Sequence, residues 1–192
     1  LFTNVGQVVA NALASSGEVG RVRNGIEFDA ASSTTQTSGT SLTLSHTCGT
    51  AGNRILVVGV SWFHATATVT VTYNGVAMTA LTIRSNSSRN TQLFYLTAPA
   101  TGANDVVVTF STAHSSAVVG AVSFFGVSQS SPVGTETGAT GNNTSQTISV
   151  TTIDDDVVVA SIGRGDSSEA GTPGTDTIER WDADGAGSGA IR

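Results

Sequence analysis

Two stretches of this chain are apolar at nearly every position: Ile55-Leu56-Val57-Val58-Gly59-Val60 and Ala117-Val118-Val119-Gly120-Ala121-Val122-Ser123-Phe124-Phe125. Both are rich in β-branched residues and bounded by Ser, Thr, Gly and Asn. Neither approaches the roughly 20 apolar residues that a membrane-crossing helix needs. They read as strands covered on both faces, which fixes much of what the rest of the chain must do.

From Gly25 onward the texture agrees, with short β-branched runs divided by turn-forming clusters. Strands are predicted over 25–30, 41–47, 54–64, 66–73, 77–84, 91–96, 105–111, 116–127, 144–151, 157–163 and 176–181, with loops over 49–53, 98–104 and 134–143. Val69, Val71 and Tyr73 alternate with Thr68, Thr70 and Thr72, the pattern of a strand with one dry and one wet face. Tyr73-Asn74-Gly75-Val76 predicts a hairpin, because Asn-Gly takes the positive φ of a type I′ turn without strain. Strands at this spacing without intervening helices select an all-β, antiparallel β-sandwich, jelly-roll or immunoglobulin-like in topology.

The first 24 residues read differently. Val5, Val8, Val9, Ala12 and Leu13 fall at the spacing of one helix face, with Asn4 as N-cap and Gly17 as stop. A short helical arm is therefore expected over 1–24 and a sandwich domain over 25–192. Such a helix is too short to stand alone, so Val5, Val8, Val9 and Leu13 are candidate interface residues. The opening segment has no basic stretch of the kind that starts a signal peptide, although the chain does not begin with Met. At the other end, Gly187-Ser188-Gly189-Ala190-Ile191-Arg192 reads as a strand just starting, so the fold is expected to continue.

Composition narrows the function. Of 192 residues only 11% are charged, the formal net charge is −6, and all eight basic residues are arginines. An acidic chain repels a phosphate backbone, so no nucleic-acid partner is expected. A single cysteine, Cys48, excludes an intrachain disulfide and reads as a small buried apolar residue. Neither membrane insertion nor a cofactor is expected.

Five blocks, in this order and spacing, carry a resemblance: Ser41-Leu42-Thr43-Leu44-Ser45-His46, Asn53-Arg54-Ile55-Leu56-Val57-Val58-Gly59-Val60, Val71-Thr72-Tyr73-Asn74-Gly75-Val76-Ala77-Met78-Thr79, Phe94-Tyr95-Leu96-Thr97-Ala98-Pro99 and Val119-Gly120-Ala121-Val122-Ser123-Phe124. From about Phe28 to Arg192 the chain resembles a loosely defined group of β-sandwich domains found in bacterial secreted proteins and tailed-phage virion proteins. Phe2-Thr3-Asn4-Val5-Gly6 also resembles the starts of phage structural proteins. The resemblance implies a β-sandwich and brings no catalytic residues; members of the group commonly finish with further strands.

Individual residues suggest specific chemistry. Asp154-Asp155-Asp156, with Asp182 and Asp184, offer the oxygen ligands that calcium takes, although Asp182-Ala183-Asp184-Gly185 is only half a recognised loop; the plainer reading is a turn before the strand at Val157. Arg164-Gly165-Asp166-Ser167 spells an integrin-read tripeptide, against a plain hairpin loop. His46, His64 and His114 are far apart, without zinc-like spacing, and His46 fits a strand position with a local hydrogen bond. No Gly-x-Ser-x-Gly elbow is present, and Glu27, Asp29, Glu136, Glu169 and Glu179 are scattered, so no catalytic residues are assigned and an enzyme is not expected. Trp62, Phe63, Tyr95, Phe124 and Phe125 lie mostly in apolar runs and fit a core. Trp181, beside Arg180 and Asp182, is the candidate sugar-stacking platform, with core or interface burial as the leading alternative.

Two functional classes follow. The first is an assembly protein on a virion surface (capsid decoration, head fibre or tail), binding sister copies as a homo-oligomer and other virion or surface proteins. The second is an extracellular bacterial adhesive or carbohydrate-binding module whose partners are glycans.

Overall fold

The computed structural model describes residues 2–3, 7–13, 25–142, 145–153, 156–164, 177–183 and 187–191, and every helix or strand assigned among them is a β-strand. In chain order these are β1 (Phe2–Thr3), β2 (Gln7–Leu13), β3 (Glu27–Gln36), β4 (Gly39–Cys48), β5 (Ile55–Phe63), β6 (Val69–Tyr73), β7 (Val76–Ala77), β8 (Thr79–Ala80) and β9 (Arg84–Asn86). They continue with β10 (Arg89–Thr97), β11 (Gly102–His114), β12 (Ala117–Phe125), β13 (Val133–Thr140), β14 (Ser145–Gln146), β15 (Val157–Gly163), β16 (Ile178–Ala183) and β17 (Gly187–Ile191).

All pairings are antiparallel. A six-stranded sheet runs β3-β12-β5-β10-β8, with β9 also on β10, and faces a four-stranded sheet running β4-β11-β6-β7. From β3 to β12 the chain alternates between these two sheets, staying in one only at the β6–β7 hairpin and along β8, β9 and β10. A five-stranded sheet, β13-β2-β15-β17-β16, covers the other face of the six-stranded one, and β1 pairs with β14 apart from both.

The antiparallel sandwich expected from the sequence is present, and the third layer explains its most apolar strands. Along β5, Leu56, Val58, Val60 and Trp62 join Leu42, Leu44, Val71, Val106 and Val108 in the core shared with the four-stranded sheet. The intervening Ile55 and Val57 join Leu93, Val122, Phe124, Val159 and Trp181 in a second core beneath the five-stranded sheet. β5 and β12 are thus buried on both faces, whereas β4 alternates buried Leu42, Leu44, His46 and Cys48 with exposed Ser41, Thr43, Ser45 and Thr47. Val71 and Tyr73 face inward from β6, as their alternation predicts.

The Asn-Gly hairpin also forms as read: Tyr73 pairs with Val76, and Asn74 and Gly75 have φ of 50° and 76°. Gly187–Ile191 is a strand. Four expectations change. The N-terminal helix is replaced, over Gln7–Leu13, by β2, which pairs with β13 along one edge and β15 along the other. A three-turn helix is marginal alone, while two neighbouring strands satisfy the segment's backbone groups on both sides. Val5, Asn4 and Gly17 lie outside the described residues. Residues 134–143, read as a loop, are largely β13, because β2 supplies a ladder that no local signal announces. The strand beginning near Gly25 runs to Gln36, since β12 holds its Ser- and Thr-rich half in register. The segments at 77–84 and 144–151 shrink to short pairings at β7, β8 and β14.

Candidate functional site

Trp181 is no solvent-facing platform. Its position on β16 places the indole on the six-stranded sheet, where it is 5% exposed. The seat is made by Gly59 and Gly120, direct partners across the β5–β12 ladder. A Cβ built on Gly120 would overlap Cε2, Cδ2 and Nε1 of the indole, and one on Gly59 would come within 3.3 Å of its Cζ2. Two adjacent glycines therefore open a flat backbone window that only a large planar side chain fills. The glycines inside both apolar runs were the sequence signal for this arrangement, but the partner was not legible.

Next to that seat lies a buried charge. Arg164, 2% exposed, donates from Nη2 to Oδ1 of Asp182 at 2.7 Å. Its Nε and Nη1 have no hydrogen-bond partner among the described residues. Burial and the neighbouring Asp182 push the Glu179 carboxyl above the usual range, while Arg164 pulls the other way. The integrin reading of Arg164-Gly165-Asp166-Ser167 requires its arginine to meet a receptor, and this arginine instead bonds to an aspartate of its own fold; residues 165–167 lie outside the described residues. The calcium reading loses Asp182 to the same pair. Asp156 closes a tight turn ahead of β15, its Oδ2 accepting from the Ile153 amide at 3.0 Å. Asp154, Asp155 and Asp184 lie outside the described residues, among which no three His, Cys, Asp or Glu side chains gather around one point.

A third group crosses the sandwich near its β3 and β4 side. Ser123 Oγ donates to Asp29 Oδ2 at 2.6 Å, so it must accept from His46 Nε2 at 3.1 Å. His46 Nδ1, then unprotonated, accepts from Ser32 Oγ at 2.8 Å, and the Gly49 amide donates to Asp29 Oδ2 at 2.9 Å. One directed chain of hydrogen bonds thus ties β3, β4 and β12 together. It contains Ser, His and Asp, yet the order is wrong for acyl transfer. The carboxylate takes the serine proton instead of orienting the imidazole, and Ser123 is 1% exposed. Burial lowers the His46 pKa against the pull of Asp29, which favours the neutral ring within this clamp.

The remaining histidines are placed by similar needs. His64 Nδ1 accepts from the Thr66 and Ala67 amides at 3.1 and 3.0 Å, a local turn. His114 is buried against Phe110 and bonds to Gln36 Oε1 at 3.1 Å. Cys48 is buried, as its solitary occurrence suggests, and burial raises its thiol pKa. The Tyr73 hydroxyl beside it lies within 3.3 Å of the His46, Ala100 and Gly102 carbonyls, and burial pushes its pKa to about 12. Between the six- and five-stranded sheets, Ser61 Oγ donates to Thr91 Oγ1 at 3.0 Å, and Thr91 Oγ1 lies 3.1 Å from Ser161 Oγ. The Ser61, Thr91 and Ser161 hydroxyls thus fasten the five-stranded layer to the six-stranded one.

What remains for partners is the outside. The outer face of the four-stranded sheet carries hydroxyls in register: Ser41 beside Thr109 beside Thr70, and Thr43 beside Val107 beside Thr72. Its flanks differ sharply. On one side the edges are the short β7, β8 and β9, and Glu136 of β13 closes over them, accepting from the Thr82 amide at 2.8 Å. On the other side the edges are β3 and β4, ten residues each, and among the described residues each pairs with one neighbour only. Sequence reading misses this open flank, because the predicted strand ends at residue 30 and no local signal extends it over Ser32-Ser33-Thr34-Thr35. Val8, Val9 and Leu13, expected on a docking helix, belong instead to a strand paired along both edges.

No protein-family model, curated protein or solved structure matches this chain.

Proposed function

We propose that this chain is a non-enzymatic assembly module of a virion surface, a decoration, head-fibre or tail component that binds sister copies and neighbouring proteins. The observation that carries the reading is where the fold spends its side chains. Trp62, Tyr73, Phe94, Phe124 and Trp181 are all consumed by the two cores, while the outward strands β4, β6 and β11 offer hydroxyls with a single carboxylate, Asp105, beside an open pair of edges. Stacking a sugar ring needs an exposed aromatic face, whereas cementing neighbours needs hydrogen-bonding edges and a surface without charge repulsion. Phe28 is the most exposed described aromatic, and the Arg180 guanidinium lies 3.6 Å from its ring centre.

The winding supports the same reading. The chain alternates between two sheets and returns β12 beside β3 and β11 beside β4, the double Greek-key order of a jelly roll, which viral capsid domains share with lectins. The five sequence blocks resemble phage virion and secreted domains alike, so it is the resemblance of Phe2-Thr3-Asn4-Val5-Gly6 to the starts of phage structural proteins that favours the virion. Mass measurement of the purified chain by light scattering, paired with a glycan array, tests the proposal. A discrete multimer that binds no glycan is expected; a monomer that binds glycans replaces it with the secreted carbohydrate-binding reading.

A further inference from the structure

Resting on the assembly reading, we infer that the β3/β4 flank is the self-association surface, and that a second copy of this chain occupies it by antiparallel edge pairing about a two-fold axis. A ten-residue edge strand exposes about five N–H and five C=O groups, because an antiparallel ladder uses alternate residues on each side. Proteins guard such edges with short strands, charges, proline or covering segments. The opposite flank of the sandwich has such guards: edge strands of two and three residues, with Glu136 and Gly141 of the outer layer bonded across them. Among the described residues, the edges of β3 and β4 show none of these over Ala30–Gln36 and Gly39–Cys48, stretches without lysine, arginine, carboxylate or proline, although β16 packs against β3 and its Arg180 lies over Phe28.

The absence of charge selects the occupant. Pairing about a two-fold axis sets each residue opposite a residue of the same strand in the other copy, so any charge near the strand centre would face its own image and repel it. With the axis at Ser33, Ala31 meets Thr35 and Ser32 meets Thr34, while Glu27 and Asp29 lie toward one end and face neutral positions near Gly39 and Thr37. Asp29 is in any case bound inward to Ser123 and Gly49. The flank is also stiff. His46 links Ser32 of β3 to Ser123 of β12 from its place on β4, so both edges are held at one spacing before any partner arrives. Their equal length lets one axis extend both sheets at once.

The test uses the whole chain and two lysine substitutions at positions with exposed side chains, Ser33→Lys on β3 and Thr43→Lys on β4. Sedimentation equilibrium of the unaltered protein is expected to give an even-numbered multimer whose Ala30–Gln36 amides become protected from hydrogen exchange as concentration rises. The double variant is expected to fall to half the mass or less, with its circular dichroism and melting midpoint at low concentration unchanged. Val76→Lys, on the guarded flank, is expected to leave the mass as it was. A multimer that survives both lysines overturns the edge assignment while the assembly reading stands. A single-chain mass at every concentration overturns the edge assignment and self-assembly together.

Discussion

The clearest quantitative consequence of the fold concerns Gly120. An alanine there puts a methyl group inside the indole of Trp181, so ring and methyl cannot both keep their places. Removing a buried tryptophan outright costs about 3–5 kcal/mol. A displaced indole recovers part of that by repacking, and alanine in a strand gains about 0.5–1 kcal/mol over glycine. Gly120→Ala is therefore expected to destabilise by about 2–4 kcal/mol. Gly59→Ala should cost less, because its methyl meets Ser161 Oγ at 2.8 Å, a hydroxyl that can rotate, Ser161 Cβ at 3.0 Å and the ring only at 3.3 Å, none of them as close as the indole at Gly120. The diagnostic experiment is a double-mutant cycle. In a Trp181→Ala background the obstruction is gone, and Gly120→Ala should become neutral or stabilising, a coupling of about 2–3 kcal/mol. Urea unfolding followed by far-ultraviolet circular dichroism, with unchanged m-values, measures all four corners. A single-variant cost below about 0.5 kcal/mol, or two penalties that simply add, would refute the window-and-ring account.

Burial holds His46 and His114 below the ordinary value of 6.5, so the unfolded chain binds more protons than the folded one at acid pH. Their contribution should be complete above that value and lost as pH falls through it; a urea midpoint that stays flat from about pH 7.5 to about pH 5.5 would contradict this, and His46→Gln should remove part of the slope. Asp182→Ala strands the Arg164 guanidinium inside the fold and should cost about 3–5 kcal/mol, more than the similarly sized Arg164→Met. Thermal melts showing equal losses would argue that the pair is not what holds that corner. Gly75 has open space around it but a φ of 76°, so Gly75→Ala should cost about 1–2 kcal/mol through backbone strain alone, and a neutral result in the same melts would exclude the turn geometry.

What could be read from the residues followed local rules. The alternation in β6, the Asn74-Gly75 turn and the two doubly covered runs each state their environment within a few positions, and the structure honours all three. The failures share one cause, which is pairing between distant segments. Gln7–Leu13 has the spacing of a helix face and becomes a strand because β13 and β15 flank it. Thr137 and Gly138 look like loop until Ala10 and Val9 lie opposite. The polar groups were least legible. Ser123 sits within an apolar run, Asp29 and His46 lie far from it in sequence, and only the sheet order makes them neighbours. The polar and glycine-rich neighbours of Trp181 suggest exposure, yet the decisive residues are two glycines more than 60 positions upstream.

The central sheet has no wet side over much of its width, and this bears on how the molecule could be cut or evolve. Stripping away the outer layer would not leave a smaller, self-sufficient sandwich. It would leave Ile55, Val57, Leu93 and Phe124 facing water as a sticky plate, with a polar trough at Ser61 and Thr91. Removal of β2, an interior strand of that outer layer, should therefore yield aggregated material instead of a trimmed soluble domain.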